Sequence, residues 1–411
     1  MIATMSLSQL TQELLEREEK YSAHNYHPLP VMLTRGQGVF VWDVDGKRYY
    51  DFLSGYSAVN QGHCHPAIIS AFVEQAQKLT LTSRAFHSDL LGEYAEYITK
   101  YFGYDKVLPM NTGVEAVETA LKLARRWGYE VKGVAQDKAL ILVCSENFHG
   151  RTLNVISFST DLSSRTNFGP YMPGYRVVEY NNVQALQEAL QDKNVVAFMA
   201  EPIQGEAGVV VPHEGYLAKV AAMCKEANVL FIADEIQTGL ARTGKMLACD
   251  HEDVRPDILV LGKALSGGTM PVSAVLADDE VMLTIKPGEH GSTYGGNPLA
   301  CKVAMVALQV LKDERMAENA AIQGEYLRNQ LVALQHPNIG LVRGKGLLNA
   351  IVINHPNKEA AWDLCMAMKD NGLLAKPTHG DKIRFAPPLV ITKEQVDECV
   401  GIIKQSLQVL A

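Results

Sequence analysis

The chain has 411 residues, of which 47% are hydrophobic and 20% charged. That composition suits one large α/β unit with a smaller appendage and excludes a disordered chain. No apolar run approaches the roughly 18 residues of a membrane span, and a net charge of −8 argues against a nucleic-acid surface, which is normally basic.

In chain order, Met1 to Tyr21 comes first and carries Glu13, Glu16, Glu18 and Glu19. It resembles neither a signal peptide nor an Arg-rich transit peptide, so a cytoplasmic protein is expected. Ser8 to Lys20 reads as a polar helix. Val39 to Val44 and Lys47 to Phe52, meeting across Asp45-Gly46, predict a β-hairpin. From about Asn60, helical stretches such as Ala116 to Trp127 and Tyr216 to Ala227 alternate with short buried strands. Those strands, Ala139–Val143, Val195–Met199, Val229–Ala233 and Ile258–Leu261, imply βαβ units around a mostly parallel sheet. Past Leu311 come helices, then strand-like text from Gly340 to Val352, then the segment Asn371 to Leu389. Thr392-Lys393-Glu394-Gln395 forms a capping box before an amphipathic terminal helix with Val396, Cys399, Val400 and Ile403 on one face. The expected division is an N-terminal segment (1–56, helix and hairpin), a large domain (57–310) and a small C-terminal domain (311–411).

Seven cysteines, Cys64, Cys144, Cys224, Cys249, Cys301, Cys365 and Cys399, are scattered and never spaced C-x-x-C. They read as reduced thiols packed as small apolar residues. His63-Cys64-His65-Pro66 has no second Cys/His cluster to complete a zinc site and reads as a structural loop. Gly239 to Lys245 matches half of a nucleotide-binding P-loop, but Met246 stands where a magnesium-binding Ser or Thr belongs, and Gln237 and Thr238 separate the loop from its strand. A nucleotide triphosphatase is therefore rejected.

Open α/β sheets place ligand-binding groups beyond the carboxyl ends of their strands. One buried strand here runs into Asp234-Glu235, and another runs through Gly262 into Lys263. A carboxylate and an amine at one sheet edge suit pyridoxal phosphate, which needs a Lys for a Schiff base and an Asp at its pyridinium nitrogen. Two such residues alone fit a structural ion pair equally well. A further feature favours the cofactor: Asn111 to Ala116 opens a helix with Thr112 as N-cap, leaving backbone N–H groups free for a phosphate. The loop His290 to Pro298 adds hydroxyls and exposed backbone donors.

Ala233-Asp234-Glu235-Ile236-Gln237-Thr238-Gly239 and Gly262-Lys263-Ala264-Leu265-Ser266-Gly267-Gly268 resemble the signature of class III, fold-type I pyridoxal-phosphate aminotransferases. The resemblance runs from about Tyr26 to the C-terminus. Phe52 to Tyr56, Asn147 to Thr152, Glu201 to Gly208 and Ile383 to Leu389 are most similar to the ornithine δ-aminotransferase branch of that family. The fold it implies is a large domain around a mostly parallel sheet, plus a small α+β domain built from the C-terminal part and the N-terminal segment.

The resemblance also implies roles. Lys263 holds the cofactor and shuttles a proton, Asp234 pairs with the ring nitrogen, and Gln237 touches the 3′-oxygen. Phe148 stacks on the ring with His149 beside it, and Gly113 and Val114 give amides to the phosphate. Thr293, or Ser292, reaches that phosphate from a neighbouring subunit, so a homodimer with shared sites is expected. Arg151, helped by Tyr26 and Tyr56, takes the α-carboxylate of ornithine. Arg384 takes the α-carboxylate of 2-oxoglutarate, with Glu206 as a gate that pairs with it while ornithine reacts. Taken singly, Phe148 reads as core, His149 as a loop histidine, Gln237 as a turn cap, and the two tyrosines as an aromatic entrance wall.

The activity implied is a ping-pong transamination giving glutamate 5-semialdehyde, which cyclises, and glutamate, linking arginine and proline metabolism. Acetylornithine or 4-aminobutyrate aminotransfer shares the same cofactor residues. A pyridoxal-phosphate aminomutase or racemase needs no keto acid, and a binding protein has no use for intact Lys263, Asp234 and Gln237.

Overall fold

The computed structural model describes residues 7–410. The polar helix is Gln9–Tyr21, capped by Ser8, whose hydroxyl accepts from the Thr11 amide at 3.1 Å. The hydroxyls of Ser8 and Thr11 also donate to Asp45, at 2.6 and 2.8 Å, tying this helix to the hairpin turn. Strands β1 (Leu33–Gln37), β2 (Phe40–Asp43) and β3 (Arg48–Asp51) are antiparallel neighbours, and β2 and β3 are the expected hairpin.

The large sheet has seven strands: β4 (Lys106–Met110), β5 (Leu140–Cys144), β6 (Tyr175–Val178), β7 (Val195–Ala200), β8 (Leu230–Asp234), β9 (Ile258–Leu261) and β10 (Ser273–Ala277). Their order is β4-β10-β9-β8-β7-β5-β6. β10 is antiparallel to both neighbours, and the remaining pairs are parallel. Successive side chains of a strand face opposite sides, and the two faces bury different helices. Helix Gly113–Glu130 sets Ala116, Ala120, Ala124 and Trp127 against Val143, Val196, Met199, Ile232 and Val260. Helix Tyr216–Glu226 sets Leu217, Val220 and Cys224 against Leu142, Phe198 and Phe231. Each fully buried Val, Leu, Ile or Phe contributes about 1.5–3 kcal/mol, enough to hold the strand ends of this sheet as a rigid platform.

The C-terminal part contributes β11 (Ile339–Lys345), β12 (Leu348–Ile353), β13 (Leu373–Leu374), β14 (Lys376–Thr378) and β15 (Lys382–Phe385). Four of them form a sheet in the order β11-β12-β15-β14, whereas β13 pairs in parallel with β3, Leu373 opposite Tyr50. The two ends of the chain therefore share a sheet. The capping box is present at helix Lys393–Ser406, which buries Val396, Cys399, Val400 and Ile403. Helix Pro298–Asp313 runs through position 310, so a cut there falls inside a helix.

The P-loop-like segment is a structural junction. Arg242, fully buried, donates to Asn60 Oδ1 at 2.6 Å and to the carbonyls of Leu347 and Pro387 at 3.0 and 2.6 Å. It thereby joins the large sheet's loops to the segments flanking β12 and β15. His63 and His65 bond Asp51 and Glu314, at 2.7 and 2.8 Å. Cys64 is exposed and the other six cysteines are buried. Among the described residues no helix is long and apolar enough to cross a membrane.

Candidate active site

β8 and β9 pair in parallel, Asp234 opposite Val260, so their carboxyl ends lie side by side. Asp234 ends β8. Lys263 follows β9 after Gly262 and opens a short turn with φ of 44°, a left-handed conformation that is uncommon for a side-chain-bearing residue. Both line one cavity, together with Gly113, Val114, Phe148, His149, Gly150, Glu201, Glu206, Ile236 and Gln237.

Asp234 is buried, and each of its oxygens has one partner. Its Oδ2 lies 2.6 Å from His149 Nδ1, and its Oδ1 accepts from the Ile236 amide at 3.1 Å. Burial alone lowers the pKa of His149, but the hydrogen bond and charge of Asp234 outweigh it and raise it. His149 Nε2 has no partner. Burial pulls the Lys263 amine below its usual range, with Glu206 and Asp234 opposing. A desolvated lysine of this kind is the form that acts as a nucleophile.

At the other end of the cavity, Thr112 and Glu115 form the capping box of helix Gly113–Glu130. Glu115 takes up the amides of Asn111 and Thr112, both at 2.9 Å, and Thr112 takes up that of Glu115. Among the described residues the amides of Gly113 and Val114 have no partner, in the positive field of a helix start. Gly150 makes this approach possible. Its φ is 124°, and a Cβ there would come within 2.5 Å of Val114.

Gln237 crosses the third wall. Its Nε2 lies 3.3 Å from Glu206 Oε1 and 3.4 Å from the Tyr56 carbonyl, while its Oε1 has no partner. A Cβ at Gly205 would stand 1.5 Å from that Oε1, so a larger residue there would displace the Gln237 amide. Glu206 Oε1 accepts from Arg384 Nη1 at 2.6 Å. Burial raises the Glu206 carboxyl, but Arg384 overrides it and holds the pKa below its usual value. The Arg384 guanidinium stands 4.9 Å from the Tyr56 ring centre. Tyr56 reaches that place through a strained turn in which Ser54, Gly55, Tyr56 and Ser57 all have positive φ.

Tyr56 and Arg384 reach this cavity only through Gln237 and Glu206 and do not line it, and the remaining expected residues also lie outside it. Arg151 is exposed, 5.6 Å from the Phe148 ring. Tyr26, also exposed, lines an adjoining cavity with Tyr56. Ser292 Oγ is engaged within its own chain by Asn111 Nδ2 at 3.0 Å and the Gly295 amide at 2.8 Å, and Thr293 is exposed. Neither lines the cavity of the chain that carries it.

Sequence reasoning missed Glu201 as a site residue. It follows β7 directly and is buried, and it accepts from the Phe148 amide at 2.9 Å. Burial pushes its carboxyl up to about 7, against the opposing charge of His149. The signal was available: Glu201 ends an apolar strand just as Asp234 does.

A free amine, a buried carboxylate, an aromatic side chain and two open amides at a helix start are the groups that pyridoxal phosphate requires. The unpartnered Gln237 Oε1 and His149 Nε2, both buried, show that the cavity has polar valence to spare for it. The donor set fits this cofactor.

Comparison with known proteins agrees with the geometry. The family described as Aminotransferase class-III matches residues 21–407. The mitochondrial ornithine aminotransferase of Drosophila melanogaster is 66% identical, covering 95% of this chain and 90% of its own. An ornithine aminotransferase structure from Toxoplasma gondii, described as having partial occupancy of pyridoxal phosphate at its active site, superposes with a TM-score of 0.94 at 48% identity, covering 97% and 94%. A structure named as an acetylornithine aminotransferase, from Elizabethkingia anophelis, gives 0.89 at 57% identity, covering 97% and 99%.

Proposed function

The chain belongs to the class-III aminotransferases, whose cofactor is pyridoxal 5′-phosphate, and from that premise we propose that it transfers the δ-amino group of L-ornithine to 2-oxoglutarate, giving glutamate 5-semialdehyde and glutamate. One observation carries this reading: the Glu206–Arg384 pair beside Lys263, at 2.6 Å. The two substrates present opposite ends to the same reacting centre. Ornithine reacts through its terminal amine and keeps its α-carboxylate distant, whereas 2-oxoglutarate reacts next to its α-carboxylate. A cation that is neutralised for the first substrate and released for the second accommodates both.

When bound, the cofactor supplies an electron-withdrawing ring that accepts the charge left at the substrate carbon. Lys263 Nζ would anchor it and move the proton on and off the reacting carbon. Asp234, held by His149, would set a carboxylate against the ring nitrogen. Phe148 would cover the ring, Gln237 would reach its 3′-oxygen, and the amides of Gly113 and Val114 would receive the phosphate. Arg151, with Tyr26 and Tyr56, holds the distant carboxylate of ornithine.

The same proposal makes the chain a homodimer. The exposed Thr293 of one copy completes the phosphate site of the other, which accords with its distance from its own cavity. Cell fractionation tests the expected cytoplasmic location against the mitochondrial designation of the Drosophila relative.

The test of substrate is a panel of ornithine, N-acetylornithine, 4-aminobutyrate and lysine with 2-oxoglutarate as acceptor. Ornithine is expected to be the preferred donor. Preference for N-acetylornithine, the reading that the Elizabethkingia structure favours, overturns the assignment, and turnover without any keto acid overturns the reaction type.

A further inference from the structure

We propose that Lys376 is a second cation for the donor's α-carboxylate, placed at the outer end of the cleft; this rests on the ornithine reading and extends it. β14 and β15 pair antiparallel with Lys376 opposite Arg384. Directly opposed residues on such strands project from the same face, roughly 4.5–5.5 Å apart at Cβ, and like charges so placed are unfavourable.

Their surroundings differ. Arg384 is neutralised by Glu206 at 2.6 Å. Among the described residues Lys376 has no carboxylate partner, and burial lowers its pKa against the opposing Cys365 thiol. Its Nζ lies 6.0 Å from the Tyr26 ring centre, as Arg384 lies 4.9 Å from that of Tyr56. Lys376 and both tyrosines line one cavity of about 430 Å³ whose wall is otherwise mainly apolar. The one acid in that wall, Asp51, is already committed to His63 at 2.7 Å and to the amides of Leu53 and Ser54 at 2.8 and 2.9 Å. The cavity thus offers an ammonium without a carboxylate partner beside the Tyr26 ring, and Tyr56, which lines the same cavity, is tied to the Lys263 cavity through Gln237. A donor whose terminal amine reaches Lys263 and whose chain extends past Tyr56 would bring its carboxylate to Lys376. That anion supplies the counter-charge that the chain itself withholds.

The test compares Lys376→Met with Lys376→Arg in the holoenzyme. Lys376→Met is expected to raise KM for ornithine by about tenfold, the effect of one lost charge-assisted contact, with kcat held. Lys376→Arg is expected to restore KM to within about threefold, since it returns the charge. In competition, the preference for ornithine over its α-carboxamide should shrink in Lys376→Met by the same factor. An unchanged KM, equal impairment of the Arg variant, a parallel fall in kcat, or an unchanged preference for the carboxylate overturns the assignment. If the unmutated protein does not use ornithine at all, the functional reading fails first, and that outcome is distinct.

Discussion

Replacing Glu206 by Gln tests the gate most directly. Glu206 Oε1 and Arg384 Nη1 are 2.6 Å apart, and their side chains are 22% and 3% exposed, so solvent screens the pair weakly. Gln keeps the shape of the side chain. It also leaves intact the backbone carbonyl that Thr378 holds at 2.8 Å, so only the charge is lost. Arg384, whose Nε already lacks a partner, is then open to any anion. A charge-assisted contact is worth about 1.5–3 kcal/mol, which corresponds to roughly ten- to a hundredfold in preference. Glutamate should gain that factor over ornithine as amino donor. Arg384→Ala should do the converse, crippling the 2-oxoglutarate half-reaction while sparing a single turnover with ornithine. Rapid mixing of the holoenzyme with each substrate, followed by absorbance, resolves the two halves. Equal losses in both halves for both variants would make the pair structural and remove the gate.

Three further outcomes are expected. Lys263→Ala should abolish transamination, and borohydride should fix the cofactor on Lys263 of the unmutated protein; attachment at Lys245 or Lys376 would contradict the assignment. Mixing a Thr293→Ala chain with a Lys263→Ala chain should recover activity, because a heterodimer has one site with Lys263 from the first chain and Thr293 from the second; heterodimers with no activity above the Thr293→Ala control would end the shared-site proposal. Glu201, whose carboxyl is raised from 4.5 to about 7 by burial, stays protonated in the folded chain while the unfolded chain ionises. Wild-type stability should therefore fall as pH rises from about 4.5 to about 7, by about 3 kcal/mol. Glu201→Gln, which cannot ionise, should gain on the wild type by that amount in urea titrations at pH 5 and 8, and a pH-independent difference would count against the buried carboxyl.

Much of the platform was legible because strands covered on both faces read as unbroken apolar runs. β5, β7, β8 and β9 appear within a residue of their expected spans. β4 and β10 were not legible. β4 carries Pro109, a residue that argues against a strand, and tolerates it at the sheet edge. The reversed insertion of β10 between β4 and β9 is set by long-range pairing that no local pattern encodes. The Arg242 junction was hidden for the same reason: it joins Asn60, Leu347 and Pro387, which are far apart in the chain.

The carboxylates of the site show where residue type stops and geometry begins. Asp234 and Glu235 are adjacent in sequence, yet the pleat sends them apart. Asp234 meets His149, while Glu235 turns away to Thr238 and to the Cys249 amide at 2.8 Å. Glu201 and Glu206 stand five positions apart on one loop, yet they differ in state because their partners differ. Arg384 keeps Glu206 ionised, whereas at Glu201 the charge of His149 and the Phe148 amide are too little to offset burial, and its carboxyl is pushed up to about 7. Of the three cavity carboxylates, two are thus compensated by a side chain and the third is held near neutrality. None makes a hydrogen bond to Lys263, whose lowered pKa comes mainly from burial. Had any of them bonded to the amine, it would have been fixed as an ammonium, and the pairing of each acid elsewhere is what leaves Lys263 able to react.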